Sequence, residues 1–276
     1  MIKSYPHVET EQRGAVLIIR LDNEAALNAL TREMRYSLRD IIREIEDDAS
    51  VRAVYLTGKG RAFCAGGDLR MLKNANEPWP VHRRFQHAAN LFPPLMQLNR
   101  PVVCGVRGMA IGGGMGMALM ADLVIAGESA RFGAGFFRLG VVPDCLTMFT
   151  LPRMIGLSRT RNFLYTGATW SAEEAQTNGV VLKVVPDVQV DEEGIALAEK
   201  LAQGPASVMG LAKQMLLKSF ESSLDEMMAL EGYGQVLAMS SPEFHEGLNA
   251  LIEKRPSEPM KAAATLPYND GMPSSK

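Results

Sequence analysis

The sequence predicts an α/β protein with a layered, mostly parallel sheet. Two strand-like runs, residues 15–21 (AVLIIRL) and 51–58 (VRAVYLTG), flank a segment opened by Thr31 in which apolar residues recur on one helical face. Strand, helix and strand in that order indicate parallel β/α layering and not a sandwich.

The same alternation returns further along the chain. Residues 101–106 (PVVCGV) form a buried-strand pattern, the glycines of 112–116 open a short apolar helix, and 122–127 (DLVIAG) is the next strand. About three strand–helix units fit before residue 145. The chain then becomes mostly helical, with one late strand at 180–185 and helix-start signals at Ser171–Glu174, Ser223–Glu226 and Ser241–Pro242.

Composition limits the domain organisation. At 276 residues and 47% hydrophobic content, the chain can bury one large core with a helical appendage. We expect a core over 1–200, a C-terminal helical region over 201–255, and a flexible tail over 256–276, which lacks apolar periodicity.

Charge and cysteine content narrow the function classes. A net charge of -2 gives no electrostatic reason to expect nucleic acid or a membrane surface as partner. Three cysteines at unrelated spacings argue against a disulfide framework, and the N-terminus lacks an apolar signal core. We therefore expect a cytoplasmic protein, and no histidine spacing suggests a metal site.

Two glycine-rich turns are candidate anion sites. Residues 61–72 (RAFCAGGDLRML) place two glycines after a strand and before Asp68, a good N-cap. Residues 108–119 (GMAIGGGMGMAL) place three glycines at the start of an apolar helix. Glycine leaves the backbone N–H groups accessible, so two such turns facing each other would hold an oxyanion.

Each turn also has an ordinary reading as a strand-to-helix connection, because glycine is the default turn residue. Nucleotide-binding loops fit less well. No Lys-Ser/Thr follows the glycines as a P-loop requires, and Met117 stands where a dinucleotide fingerprint needs glycine.

Four blocks in order, FCAGGDL (63–69), AIGGGMGMAL (110–119), RLGVVPDCLTMFTLPRMIG (138–156) and SAEEAQTNGVVLKVV (171–185), resemble the crotonase (enoyl-CoA hydratase/isomerase) superfamily. The likeness runs from about residue 10 to residue 256. It implies a crotonase-type spiral of ββα turns with a C-terminal helical region, a homotrimer or dimer of trimers, and an acyl-CoA thioester substrate. Coenzyme A is then part of the substrate, and no separate cofactor is implied.

The resemblance also implies site residues. The two backbone amides that stabilise the thioester oxygen in this family fall on Gly67 and Gly113. The substrate-binding positions that correspond to the family's fall on a larger set: Ala26, Leu27, Ala65, Asp68 and Leu69, with Phe136 forming part of an apolar wall.

The carboxylates decide the reaction type. Hydratases of this family use two glutamates, one after the glycine loop and one before a Pro turn, and these positions hold Gly116 and Phe136 here. Because water addition needs groups that exchange protons, losing each carboxylate costs on the order of 10²–10⁴ in rate.

One acid remains in this neighbourhood, Asp144. Its segment, LGVVPDCLTM (139–148), resembles that of 1,2-epoxyphenylacetyl-CoA isomerase-like members, although Leu146 and Thr147 depart from their pattern. A single carboxylate suits a 1,3-proton shift, in which it takes a proton from C2 and returns it at C4. The favoured hypothesis is therefore an enoyl-CoA isomerase with Asp144 as acid/base.

Several alternatives stay open. The chain is also compatible with residual hydratase activity, with a non-catalytic acyl-CoA-binding homologue, and less well with dehalogenation through Asp144. Asp144 also fits an N-cap for a helix beginning at Cys145. Finally, the variable stretch 71–98 supplies Trp79, Phe85 and Phe92, which predict an apolar or aromatic acyl pocket.

Overall fold

The computed structural model describes residues 4–68 and 77–263. Its strands are β1 (Val8–Arg13), β2 (Val16–Leu21), β3 (Ala53–Gly58), β4 (Ala62–Cys64), β5 (Val102–Val106), β6 (Met109–Ile111), β7 (Leu123–Gly127), β8 (Arg131–Gly133), β9 (Thr169–Ser171) and β10 (Lys183–Val185).

Its α-helices are α1 (Arg32–Asp47), α2 (Pro78–Ala89), α3 (Phe92–Gln97), α4 (Gly113–Ala118), α5 (Thr147–Thr166), α6 (Ala172–Thr177), α7 (Val190–Gln203), α8 (Ala206–Lys218), α9 (Leu224–Met239), α10 (Pro242–Glu253) and α11 (Pro259–Ala263). Three short 3-10 turns, Glu24–Ala26, Phe137–Leu139 and Asp187–Gln189, complete the described elements.

The larger sheet has the order β1-β2-β3-β5-β7-β10 within the described ranges. Every pairing in it is parallel except that of β1 with β2. Its central strands are buried on both faces, which explains their continuous apolar runs. The α1 side chains pack in the cluster on one face, and Val190, Ile195 and Ala198 of α7 pack with Tyr55 and Val103 on the other.

The hydrophobic pattern of the sequence did not reveal the second sheet, β4-β6-β8-β9. Each of its strands has three residues. β4, β6 and β8 directly follow β3, β5 and β7, so the chain passes from the large sheet to the small one in each unit. The chain is therefore a series of ββα units, as the crotonase-type fold predicts.

The helix-start signals are confirmed. The Thr31 hydroxyl accepts a hydrogen bond from the Met34 amide at 3.2 Å. Ser171 and Ser223 each form a reciprocal capping box with the glutamate three residues later, and the Ser241 hydroxyl accepts from the Phe244 amide. These signals were readable because a cap involves only four neighbouring residues.

A buried ion pair ties the C-terminal helices to the large sheet. Arg52 donates to the Glu243 carboxylate at 2.7 Å and to the carbonyl oxygens of Ala202 and Gly204 at 2.9 Å. The boundary expected at residue 200 lies inside α7. Of the expected tail, residues 259–263 form α11 and residues 264–276 lie outside the described ranges.

Within the described ranges, none of the helices has both the length and the apolar character needed to span a bilayer.

Candidate active site

The two glycine turns meet at one edge of the small sheet. β4 and β6 are parallel, so the turns that follow them emerge on the same side. The segment after the Glu24–Ala26 turn docks against the first glycine turn: the Ala65 amide donates to the Leu27 oxygen at 2.9 Å, and the Leu30 amide donates to the Gly66 oxygen at 2.8 Å.

Gly66 is a point of close contact between the two turns. A Cβ on this residue would lie 3.3 Å from the Gly113 nitrogen and 2.5 Å from the Ile111 oxygen, and its φ of 90° lies in the left-handed region. Only glycine meets both requirements without displacing the second turn. The prediction that the two turns face each other agrees with this geometry.

The predicted oxyanion donors are available for hydrogen bonding. Over residues 4–68 and 77–263, the N–H groups of Gly67 and Gly113 donate to no protein acceptor. Gly113 is the first residue of α4, where the backbone N–H groups have no partner within the helix. Backbone donors in such positions are able to bind an external oxygen.

Asp144 lies beside this second turn. Its Oδ1 is 3.9 Å from the position of a Cβ on Gly113, and its side chain is half-buried. The structure contradicts the alternative in which Asp144 caps a helix beginning at Cys145. α5 begins at Thr147, its N-cap residue is Leu146, and no side chain caps it.

An unusual backbone holds the Asp144 carboxylate in this place. Cys145 and Leu146 have φ values of 51° and 57°, a conformation uncommon for residues other than glycine. The Asp144 carbonyl oxygen accepts the Thr147 amide at 3.0 Å. Two successive left-handed residues turn the chain sharply between Asp144 and α5. The Asp144 carboxyl group therefore lies near Gly113 and does not cap the helix.

Cys145 is a site residue that sequence reasoning did not single out. Its Sγ lies 2.9 Å from the Cβ position of Gly113, and it is in polar contact with Asp144. Burial, followed by the neighbouring Asp144 charge, raises the pKa of the Cys145 thiol well above its usual range. Cys145 is therefore a neutral packing residue and not a nucleophile. Its position directly after Asp144 in the sequence was the one feature that could have identified Cys145 as a site residue.

The two positions that hold glutamates in hydratases are closed by packing. A Cβ on Gly116 would lie 2.6 Å from the Cys145 oxygen and 2.8 Å from the Thr147 hydroxyl oxygen. Phe136 is 6% exposed, and its ring lies 3.8 Å from the Cβ position of Gly112. The ring thus forms an apolar wall at the second glycine turn, where we expected it.

Asn28 is a second residue whose role the sequence did not reveal. Its side chain is fully buried, donates to the oxygens of Lys59 and Ala62 at 2.9 Å each, and accepts the Asn23 amide at 2.8 Å. Leu27 and Asn28 both have positive φ. Asn28 thereby fixes the segment that carries Ala26 and Leu27 against the β3–β4 connection.

The remaining predicted substrate-binding residues divide into two groups. Ala65 and Asp68 flank the first glycine turn, where the resemblance places the thioester, and both are half-buried. Leu69 lies outside the described residues. The aromatic lining expected from 71–98 differs: the Trp79 side chain is 73% exposed, and Phe92 packs in the core.

The enoyl-CoA hydratase/isomerase family model matches residues 11–259, which is most of the chain. The chain belongs to this family. A member of the enoyl-CoA hydratase/isomerase family acts on acyl-CoA thioesters.

Named relatives within the family differ in reaction. The chain is 35% identical over 253 residues to the 1,2-epoxyphenylacetyl-CoA isomerase of Escherichia coli K12, covering 90% of this chain and 95% of that protein. It is 33% identical to a probable enoyl-CoA hydratase of Rhodobacter capsulatus, covering 92% and 97%. These names support membership of the family. They include both an isomerase and a hydratase, so they do not decide between the two reactions.

Solved structures of the family have the same fold. An enoyl-CoA hydratase/isomerase from Cupriavidus metallidurans CH34 aligns with a TM-score of 0.88 at 31% identity, covering 94% of this chain and 98% of that one. An enoyl-CoA hydratase from Bacillus anthracis aligns with a TM-score of 0.86 at 32% identity, covering 91% and 98%.

Proposed function

We propose that this protein is an enoyl-CoA isomerase that moves a double bond from C3–C4 to C2–C3 through a 1,3-proton shift. The observation that carries the proposal is the position of the Asp144 carboxylate beside Gly113. The carboxylate is a proton-exchanging group beside the glycine turn that the resemblance assigns to the thioester oxygen.

The reaction balances with that one group. The Asp144 carboxylate takes a proton from C2 of a 3-enoyl-CoA, and the electron pair delocalises onto the thioester oxygen as a dienolate. The N–H groups of Gly67 and Gly113 donate to this oxygen, and each such donor contributes about 3 kcal/mol to stabilising the developing charge. The Asp144 carboxyl then returns the proton at C4, and the conjugated 2-enoyl-CoA leaves.

The packing around Gly116 and Phe136 supports isomerisation over hydration. Water addition requires groups that activate water and deliver a proton, and each is worth on the order of 10²–10⁴ in rate. At the two glutamate positions there is a glycine under the Cys145 carbonyl and a buried phenylalanine ring. Neither can exchange a proton.

Hydration remains the second candidate because several relatives carry hydratase names, including the probable enoyl-CoA hydratase of Rhodobacter capsulatus. In that reaction Asp144 would activate water without a partner. The two reactions have opposite effects on the conjugated thioester, so one optical signal separates them.

The test follows the ultraviolet absorbance of the conjugated thioester with purified protein. Under the proposal, 3-hexenoyl-CoA gains conjugation, whereas 2-hexenoyl-CoA does not lose it to hydration. Loss of conjugation from 2-hexenoyl-CoA at a comparable rate would identify a hydratase. Tight binding of both thioesters with no change in either would identify a non-catalytic acyl-CoA-binding protein.

A further inference from the structure

A cavity of about 410 Å³ between α1 and α2 has a strongly basic lining. Four arginines, a histidine, a tyrosine and a proline line it. The basic residues among them are Arg32, Arg35, Arg83, Arg84 and His87. This is the opposite of the apolar acyl pocket that the aromatic residues of 71–98 predicted.

Within the described part of the chain, three of these arginines form no direct ion pair. Among the described residues, no carboxylate lies within 4.0 Å of the guanidinium groups of Arg35, Arg83 or Arg84. Arg32 donates to the Tyr36 hydroxyl at 3.2 Å, and this partner is neutral. Cations gathered in a concave site without direct ion-pair partners favour the binding of an anion.

Arg35 connects the cavity to the catalytic site. It is half-buried, and burial, followed by the charge of Arg84, lowers the pKa of its guanidinium. Cys145 and Asp144 act in the opposite direction and raise the pKa of the Arg35 guanidinium. The guanidinium therefore lies within electrostatic range of Asp144, the predicted acid. An anion bound by Arg35 and Arg84 would offset the cost of holding two cations near each other.

Helix α1 connects the cavity to the second glycine turn. Leu30 approaches the Cβ position of Gly113 to 3.2 Å, and α1 begins two residues later. At a rise of about 1.5 Å per residue, Arg35 lies about 6 Å along α1 from its N-cap, Thr31. An acyl chain that runs from the paired glycine turns towards α1 would reach Arg35 with its far end.

We propose that this cavity binds a carboxylate at the far end of the acyl group, so that the substrate is a CoA thioester of a dicarboxylic acid. The inference rests on the proposed function in one respect, the placement of the reacting carbons beside Asp144. Arginine suits this role because its planar fork donates two parallel hydrogen bonds to a carboxylate.

Saturated thioesters test this without any turnover. Calorimetry measures the dissociation constants of hexanoyl-CoA and of three dicarboxylic thioesters of different chain length, glutaryl-CoA, adipoyl-CoA and suberoyl-CoA. The methyl ester of each dicarboxylic thioester is measured beside it. The best dicarboxylic thioester binds about tenfold to a hundredfold more tightly than its methyl ester, as a charged hydrogen-bonded pair predicts. Equal affinities for every acid and its ester overturn the proposal.

Arg35→Met removes the charge and keeps much of the side-chain volume. It abolishes the preference for the free carboxylate and leaves the affinity for hexanoyl-CoA within about threefold. Arg84→Met acts in the same direction, which keeps the test decisive if one variant folds poorly. Arg43→Met is the matched control, because Arg43 is exposed on the same helix and does not line the cavity.

Free CoA distinguishes the carboxylate from the CoA phosphates. If Arg35→Met weakens free CoA as much as it weakens the dicarboxylic thioester, the arginines bind phosphate and the proposal is overturned. The two proposals also fail separately. Turnover of 3-hexenoyl-CoA with no carboxylate preference rejects only the dicarboxylic substrate. A carboxylate preference without turnover of a 3-enoyl dicarboxylic thioester rejects only the isomerase.

Discussion

Gly116 lies directly under the carbonyl oxygen of Cys145, at a distance where a Cβ would come within 2.6 Å of that oxygen. The contact joins α4 to the loop that carries Asp144. Because the neighbouring group is backbone, it cannot rotate away as a side chain would. The packing around Gly116 therefore leaves no room for the glutamate that hydratases have at this position. Restoring that glutamate would require the Cys145 backbone to move.

Replacing Gly116 tests this packing. Gly116→Ala is expected to lower the free energy of unfolding by about 1–3 kcal/mol, the range for overpacking a well-filled core. Gly116→Glu should lower it further and should not create hydratase activity, because the loop with Asp144 must shift to admit it. Urea unfolding and the conjugated-thioester assay measure both effects.

Gly232→Ala is the matched control for Gly116→Ala. Gly232 is also helical, in α9, but a Cβ there meets no atom within 4 Å. This variant should be neutral or stabilising by about 0.5–1 kcal/mol, since alanine has the higher helix propensity. Equal effects at both positions would mean that Gly116 is not packed against the Asp144 loop.

Asn28→Ala tests the anchor of the predicted CoA-binding segment. The substitution leaves the Lys59 and Ala62 oxygens and the Asn23 amide without their buried partner. Each buried group left without a partner costs about 1–3 kcal/mol, so the free energy of unfolding should fall by about 3 kcal/mol or more. The same change should raise KM for acyl-CoA, because the segment with Ala26 and Leu27 loses its support.

Asn178→Ala serves as the comparison for Asn28→Ala. The side-chain amide of Asn178 donates one hydrogen bond to the backbone oxygen of Glu174 at the end of α6. Its loss should change the free energy of unfolding by about 1 kcal/mol or less and leave KM unchanged. An Asn28→Ala protein that is as stable and as active as Asn178→Ala would contradict the role assigned to Asn28.

The three cysteines should resist alkylation in the folded protein. Burial raises the pKa of the Cys64 thiol to about 12 and raises those of Cys104 and Cys145 above their usual range. A raised thiol pKa means that the reactive thiolate is scarce below that value. For Cys64 at pH 8 the thiolate fraction is about 10⁻⁴.

Mass spectrometry after treatment with iodoacetamide measures this directly. At pH 8 the native protein should remain unmodified on the time scale in which the urea-unfolded chain reacts fully. Rapid modification of Cys145 in the native state would show that its thiol is ionised, and would reopen a nucleophilic role beside Asp144.

Local features of the fold were predictable from the sequence, whereas the second sheet was not. β2, β3, β5 and β7 have five or six residues with continuous apolar runs. β4, β6, β8 and β9 have only three residues each, which is too short to establish an alternating pattern. Their pairing depends on contacts distant in sequence.

The candidate site shows the same division. The glycine turns and Asp144 were found from motifs, because their residue types and spacing are visible in one dimension. The positive φ values at Cys145 and Leu146 carry no composition signal, since neither residue favours that conformation. The basic cavity required the packing of α1 against α2, which are 30 residues apart between Asp47 and Pro78 and share no motif.

The rate of the Asp144→Asn protein with 3-hexenoyl-CoA shows whether the Asp144 carboxylate moves the proton. Asparagine keeps the size of the side chain and removes its ability to exchange a proton. If Asp144 moves the proton, kcat falls between about 10²-fold and 10⁴-fold while the dissociation constant for hexanoyl-CoA changes by less than about threefold. Asp47→Asn, at the exposed end of α1, should retain full activity. An Asp144→Asn protein with a kcat close to that of the unmodified protein would show that another group moves the proton, and would contradict the mechanism.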